Sequence, residues 1–143
     1  MDFYNLQKKI EDYIKQGFNA YLGEDIKKPS YVSDNIDLDK YKGDFSVFFD
    51  FSSFDFEDLS NESMKASLTM DLYFVRRNGT SETLKKDLLS YVSKFYAFFY
   101  TDRSFGNLID WGTITELNNY DAVSGDKNIK ITQLTLRLEL EDD

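Results

Sequence analysis

Cysteine is absent from the 143-residue chain, which excludes disulfides, thiolate nucleophiles and cysteine-ligated metals, and leaves the redox compartment unreadable from cysteine usage. Histidine is absent as well. With it go the side chain best suited to proton transfer near neutral pH and the commonest transition-metal ligand. Only seven glycines occur, none in a phosphate-cradling array, so no nucleotide cofactor is expected. No apolar run approaches the roughly 20 residues that cross a bilayer. The opening Met1-Asp2-Phe3-Tyr4-Asn5 has no basic region leading into an apolar one, and the expectation is a cytoplasmic protein without a membrane partner.

Against these absences stands a high aromatic content, with 13 Phe and 10 Tyr in a chain that is 41% hydrophobic. That is enough for one contiguous core, and the length predicts a single domain over 1–143. Each buried ring removes about 150–250 Å² from water, so most rings belong inside and any large remainder marks a contact surface. The formal net charge of −9 opposes stable binding to nucleic acid, whose phosphates call for clustered Lys and Arg. The charge is also unevenly spread. Residues 44–64 hold six acids and no base, 65–107 hold seven bases against four acids, and 108–143 hold eight acids against three bases. Such blocks act either as solvated surface or as opposite faces that attract.

Phe3, Leu6, Ile10, Tyr13, Ile14 and Phe18 recur every three or four residues between Lys8, Lys9, Glu11, Asp12 and Lys15. This predicts an amphipathic helix closing at Gly17 or Gly23. Residues 24–43, with the single proline Pro29, read as a long connection containing at most a short extended piece at Tyr31 and Val32. The period then becomes two. Phe45, Val47, Phe49 and Phe51 share one side, with Phe48 as the exception, and 65–75 alternates cleanly from Ala66 to Phe74. These are two strands of a hairpin with an acidic connector over 53–64. Asn78-Gly79 marks a turn, and Thr80 or Ser81 caps a second helix whose stripe is Leu84, Leu88, Val92, Phe95 and Phe99. Strands follow at 109–117 and 129–140, separated by a connector with Asn118-Asn119 and Ser124-Gly125-Asp126. In the last strand Ile129 and Ile131 have the opposite parity to Leu134, Leu136, Leu138 and Leu140. A β-bulge near Thr132-Gln133 is the preferred explanation, and a strand buried on both faces at its start is the other. The expected fold class is α+β, in the order α-β-β-α-β-β, with a largely antiparallel sheet and two helices on one face.

Carboxylates are the only catalytic candidates. Asp50, Asp55, Glu57 and Asp58 cluster around the first hairpin, but acids at a hairpin tip are ordinarily solvated, and no enzymatic activity is expected. Asp37-Leu38-Asp39-Lys40-Tyr41-Lys42-Gly43 fails as a calcium loop: Tyr41 takes the third ligand position, the glycine comes one place late and Phe48 stands where a bidentate Glu belongs. No metal is expected. Asn61-Glu62-Ser63 and Asn78-Gly79-Thr80 fit the glycosylation pattern, which carries little weight without a secretory signal. Trp111, the only tryptophan, is expected in the core. Arg76 and Arg77 end the second strand, where an arginine fork can meet a carboxylate of a neighbouring subunit. The expected subunit interface is Asp55, Glu57, Asp58, Arg76 and Arg77.

The opening helix, the connection with Pro29, the strand ending Leu72-Tyr73-Phe74-Val75, the helix over 84–100 and the closing Leu134-Thr135-Leu136-Arg137-Leu138-Glu139-Leu140 together resemble the tail terminator proteins of long-tailed bacteriophages, also described as minor capsid or tail completion proteins. The resemblance spans nearly the whole chain and rests on element order rather than on a diagnostic motif. It implies a virion structural protein of a phage or prophage, forming a head-to-tail ring, commonly a hexamer. That ring ends the tail tube and joins it to the head, with tail-tube and head-completion proteins as partners. It also implies residence in the bacterial cytoplasm during assembly and in the virion tail afterwards. The acidic connector and the 24–43 stretch depart from compact versions of the pattern and leave the lumen-facing and tube-facing loops unassigned. The competing reading is an acidic protein-binding module or a DNA mimic that inhibits a nucleic-acid-binding protein, although 17 basic residues interrupt the carboxylates.

Overall fold

In the computed structural model, which describes residues 2–33, 36–124 and 127–142, a helix α1 (Phe3–Leu22) is followed by three strands, β1 (Ser30–Val32), β2 (Phe45–Asp58) and β3 (Met64–Arg77). A second helix, α2 (Ser81–Phe99), and two further strands, β4 (Trp111–Ser124) and β5 (Lys127–Asp142), complete the order. The class is α+β. The order differs from the expected one by β1, a three-residue strand that follows Pro29 and runs parallel to β2 through Ser30↔Ser46 to Val32↔Phe48. Sheet order is β1-β2-β3-β5-β4, with every other pairing antiparallel.

Helix α1 starts at Asp2, whose carboxylate accepts the Asn5 amide at 3.0 Å. Gly17 does not end it. A Cβ there would lie 2.8 Å from the Phe98 ring of α2, so this glycine is where the two helices approach each other. The helix closes instead at Gly23, whose φ of 82° is readily reached only without a side chain. Thr80 caps α2 by accepting the Thr83 amide.

Both helices feed the core that lines one sheet face. Ile10, Ile14 and Phe18 of α1 and Leu88, Val92, Phe95 and Phe99 of α2 cluster with Val47, Phe49, Leu68 to Phe74 at alternate positions, and Leu134, Leu136 and Leu138. Phe95 meets Phe18 edge-on at 5.3 Å and Phe74 at 5.5 Å. The opposite face carries a smaller cluster at one end: Phe48, Val75, Ile129 and Ile131, with Leu38 and Tyr41 of the 36–43 connection packed against it. The Phe48 exception and the parity conflict of β5 have this one cause. β5 pairs with β3 without interruption from Arg77↔Ile129 to Met64↔Asp142, so there is no bulge at Thr132-Gln133, and the start of β5 is buried on both faces.

Irregularities occur instead in β2, between Phe51 and Ser53, and in β4, between Ile114 and Glu116. Beyond the first, residues 53–58 continue as strand, leaving 59–63 as the hairpin tip where a longer connector was expected. Likewise Asn118 and Asn119 lie within β4, whereas Gly125 and Asp126 of the expected turn are outside the described residues.

Candidate subunit interface

The 100–110 segment sets the start of β4. Asp102 organises it by accepting from the Ser104 hydroxyl at 2.6 Å, the Ser104 amide at 3.0 Å, the Gly106 amide at 2.9 Å and the Tyr13 hydroxyl of α1 at 3.2 Å. These bonds, the Ser104 hydroxyl first, hold its carboxyl below the usual aspartate pKa. Arg103 then grips β4 through the Gly112 carbonyl at 2.7 Å and the Thr113 hydroxyl at 3.1 Å, and its guanidinium lies 3.7 Å from the centre of the Trp111 ring. Trp111 is therefore not a core residue. It is half exposed, on the face away from the helices, and its stacking partner is a surface cation.

Helix α2 packs mainly over β3 and β5 and meets β4 at its start, where the Phe99 ring lies against Gly112. Beyond that contact the helix-side residues of β4 are left beside a groove. Its walls are Leu89, Val92 and Tyr96 of α2 and Ile114 and Leu117 of β4, with Leu134 beneath, and the cavity measures about 420 Å³. A second cavity of about 220 Å³ continues from Leu89 towards Lys85, Tyr120 and Lys130. Lys130 is held by Asp121 at 2.7 Å. Beyond the groove lies the outer edge of β4, which no other strand covers among the described residues.

On the other side of the sheet, β1 covers only Ser46 to Phe48 of β2, and the rest of β2 runs out to the hairpin tip. Phe3 of α1 shelters its base, with ring centres 4.9 Å from Phe54 and 5.5 Å from Phe56. The tip still exposes Phe56, Leu59 and Met64, next to Asp55, Glu57, Asp58 and Glu62, all at the surface. Of the ten large apolar side chains exposed among the described residues, Phe56, Leu59 and Met64 lie at the tip and Tyr96 and Leu117 at the groove, while Trp111 and Tyr120 lie on the far face of β4.

The arginines expected at an interface face inward. Arg77 is buried and donates to the Leu38 carbonyl at 2.8 Å, tying down the 36–43 connection. Arg76 pairs with Asp87 at 3.1 Å and lies over the Phe45 and Tyr91 rings. Register separates them from Asp55, Glu57 and Asp58 by the length of the hairpin, since Phe45 pairs with Arg76 and Asp58 with Met64. Lysines supply the exposed positive charge near the groove, with Lys85 and Lys86 on the solvent side of α2.

Nor does the fold assemble the four catalytic candidates. Asp50 instead faces Asp71 directly across the β2–β3 ladder, with the Thr135 hydroxyl donating to Asp71 at 2.6 Å. Burial, and then the negative charge of Asp71, push the Asp50 carboxyl above its ordinary pKa. This pair was missed in the sequence because it depends on strand register. Asp37 forms a local turn, its carboxylate accepting the Asp39 and Lys40 amides, each at 3.1 Å. Asn61 of the first glycosylation triplet lies at the hairpin tip, and in the second Thr80 is occupied as the α2 cap.

No protein-family model matches this chain, and no curated protein matches it in sequence. No helix among the described residues is long and apolar enough to cross a membrane. The molecule thus carries a pair of unfinished apolar surfaces, one a projecting acidic hairpin and one a groove beside a strand edge that is open among the described residues.

Proposed function

We propose that this chain is a non-enzymatic structural protein of the tail terminator type, from a phage or prophage, which assembles head to tail into a ring that ends a tail tube and joins it to a head. The observation that carries the reading is that the two unfinished surfaces are different from each other and lie apart on one molecule. Two unlike surfaces that fit one another generate a heterologous contact, and such a contact closes into a ring when its rotation divides the circle. The partners are further copies of the chain, together with tail-tube and head-completion proteins, and the net charge of −9 suits a lumen through which DNA passes without being held. The ring would be built in the bacterial cytoplasm and carried in the virion tail.

Size-exclusion chromatography with light scattering, alone and with purified tail tubes, tests the reading. A closed oligomer in solution or on tube ends is the expected result, and rings in negative-stain images would give the copy number. A monomer under every condition, tubes included, overturns it, and recovery of a DNA-binding enzyme as the sole partner would favour the DNA-mimic reading instead.

A further inference from the structure

We propose that the tip of the β2–β3 hairpin of one copy, led by Phe56 and Leu59, seats in the groove between α2 and β4 of the next copy. The inference rests on the ring reading above and names the contact that would build it.

The hairpin tip of a molecule cannot reach that molecule's own groove. The hairpin ends at Asp58↔Met64, whereas the groove lies level with Leu134↔Leu72, about 26 Å back along β3 at the usual rise per residue. β4 is also three places from β2 in the sheet, about 14 Å at normal strand spacing. A tip that fills this groove therefore comes from another copy. Its chemistry is set by the walls. Val92, Ile114, Leu117 and Leu134 give an apolar cavity of about 420 Å³, of the size that accepts aromatic and aliphatic side chains from a partner. Among the described residues, the tip is the projecting segment that presents such side chains, with Phe56 half exposed and Leu59 nearly so.

Charge selects the same pairing. The tip carries Asp55, Glu57, Asp58 and Glu62, while Lys85 borders the smaller cavity that continues the groove and Lys86 follows it on the exposed side of α2. Asp121 is paired with Lys130 at 2.7 Å, and Glu116, which accepts from the Asn118 amide at 2.9 Å, keeps its charge at the larger cavity, so the positive charge that meets the tip lies at the Lys85 end of the groove. An acidic tip is thus attracted to the lysines, and two grooves or two tips have no such attraction for each other. The open edge of β4 adds unpaired backbone groups that an incoming extended segment can meet.

The test uses two full-length variants. One breaks the tip (Phe56→Asp with Leu59→Asp) and the other breaks the groove (Tyr96→Asp with Leu117→Asp). All four side chains are about half exposed, so melting curves should stay close to that of the unmodified protein. Light scattering is expected to show loss of the oligomer for each variant alone. An equimolar mixture is expected to give a dimer and nothing larger, because one intact tip meets one intact groove and the chain of contacts stops there.

If the unmodified protein forms rings and either variant still does so alone, the contact is overturned and the ring stands on another surface. If the unmodified protein is monomeric even on tail tubes, the ring reading falls and this contact falls with it. Should a variant misfold, a photo-crosslinking phenylalanine analogue in place of Phe56 reads the contact in an otherwise unmodified chain. Crosslinks to peptides of α2 or β4 from another copy support the contact, and crosslinks elsewhere overturn it.

Discussion

The hairpins β2–β3 and β4–β5 have strands of similar length, and each carries one irregularity in its outer strand. In β2 the extra residue is Ser52, whose hydroxyl donates to the Thr69 carbonyl of β3 at 3.4 Å. In β4 it is Thr115, whose hydroxyl donates to the Thr135 carbonyl of β5 at 3.2 Å. In both cases a hydroxyl residue at the bulge reaches a carbonyl of the partner strand where the ladder is interrupted. Each bulge also resets parity. Phe51 and Phe54, three positions apart, pair with Met70 and Leu68 and so face the helices together. Ile114 and Leu117, likewise three apart, pair with Leu136 and Leu134. The hairpins part company in what covers them. β2 has β1 along its base and Phe3 of α1 against Phe54 and Phe56 further out, whereas the outer edge of β4 has no strand beside it among the described residues and α2 leaves a groove along it. The lesson is that the same strand architecture is buried on one side and left exposed on the other, according to where the helices lie.

This contrast can be broken at four places, taken from the largest effect downward. Phe49 in β2 is buried and stacks on Tyr31 at 5.9 Å, so Phe49→Ala should cost about 3–5 kcal/mol of stability, read from denaturant unfolding. A loss under about 1 kcal/mol would mean that the β2 side is no better packed than the β4 side. Gly112, at the start of β4, leaves no space: a Cβ would lie 2.9 Å from the Phe99 ring and 3.0 Å from the Arg103 carbonyl oxygen. Gly112→Ala should therefore cost about 1–3 kcal/mol and displace Arg103 from Trp111, which the fluorescence of the only tryptophan reports.

The third place is Asp50. Its folded pKa lies above the ordinary aspartate value of 3.8, through burial first and Asp71 second. A carboxyl with a raised folded pKa holds its proton more tightly in the native state, so its contribution to stability falls as pH rises from the ordinary value through the raised one and stays low above it. Asp50→Asn should accordingly raise the melting temperature at pH 7 and lose that advantage as the pH approaches 3.8. A constant difference across the range would show that charge is not the cause. Last and smallest, Leu117→Ser in the open β4 region should change stability by no more than about 0.5 kcal/mol while weakening self-association. Stability loss as large as that of Phe49→Ala would show the groove to be part of the core.

Most of the elements were legible because their periodicity survives in the sequence. The α1 and α2 stripes and the alternation of β3 needed only side-chain spacing, and the Thr80 cap needed only its residue type. The far half of β2 was read as a connector because the Ser52 bulge reverses parity just where the acids begin, so neither alternation nor composition marks it as strand. β1 was visible only as an extended piece, since three residues have no period and parallel pairing is not encoded locally. Trp111 was expected inside because tryptophan is large and apolar, but Arg103, eight residues earlier in the chain, offers its ring a partner at the surface. Arg76 and Arg77 looked like free charges, yet one is held by Asp87 and the other by a carbonyl of the distant 36–43 connection. No local pattern records either contact.

By itself, the sequence determined the chemistry that this protein lacks, with no thiol and no imidazole, and the α+β class, because both follow from residue types and near-neighbour spacing. Only the tertiary structure decided which apolar residues remain unburied. Phe56 and Leu117 are no less hydrophobic than Phe49 and Leu134, and what separates them is the reach of α1 and α2 across the sheet, a property of packing between distant segments. The surplus of aromatics and the blocks of charge were legible in the residues, and only the fold showed which of them the helices leave exposed.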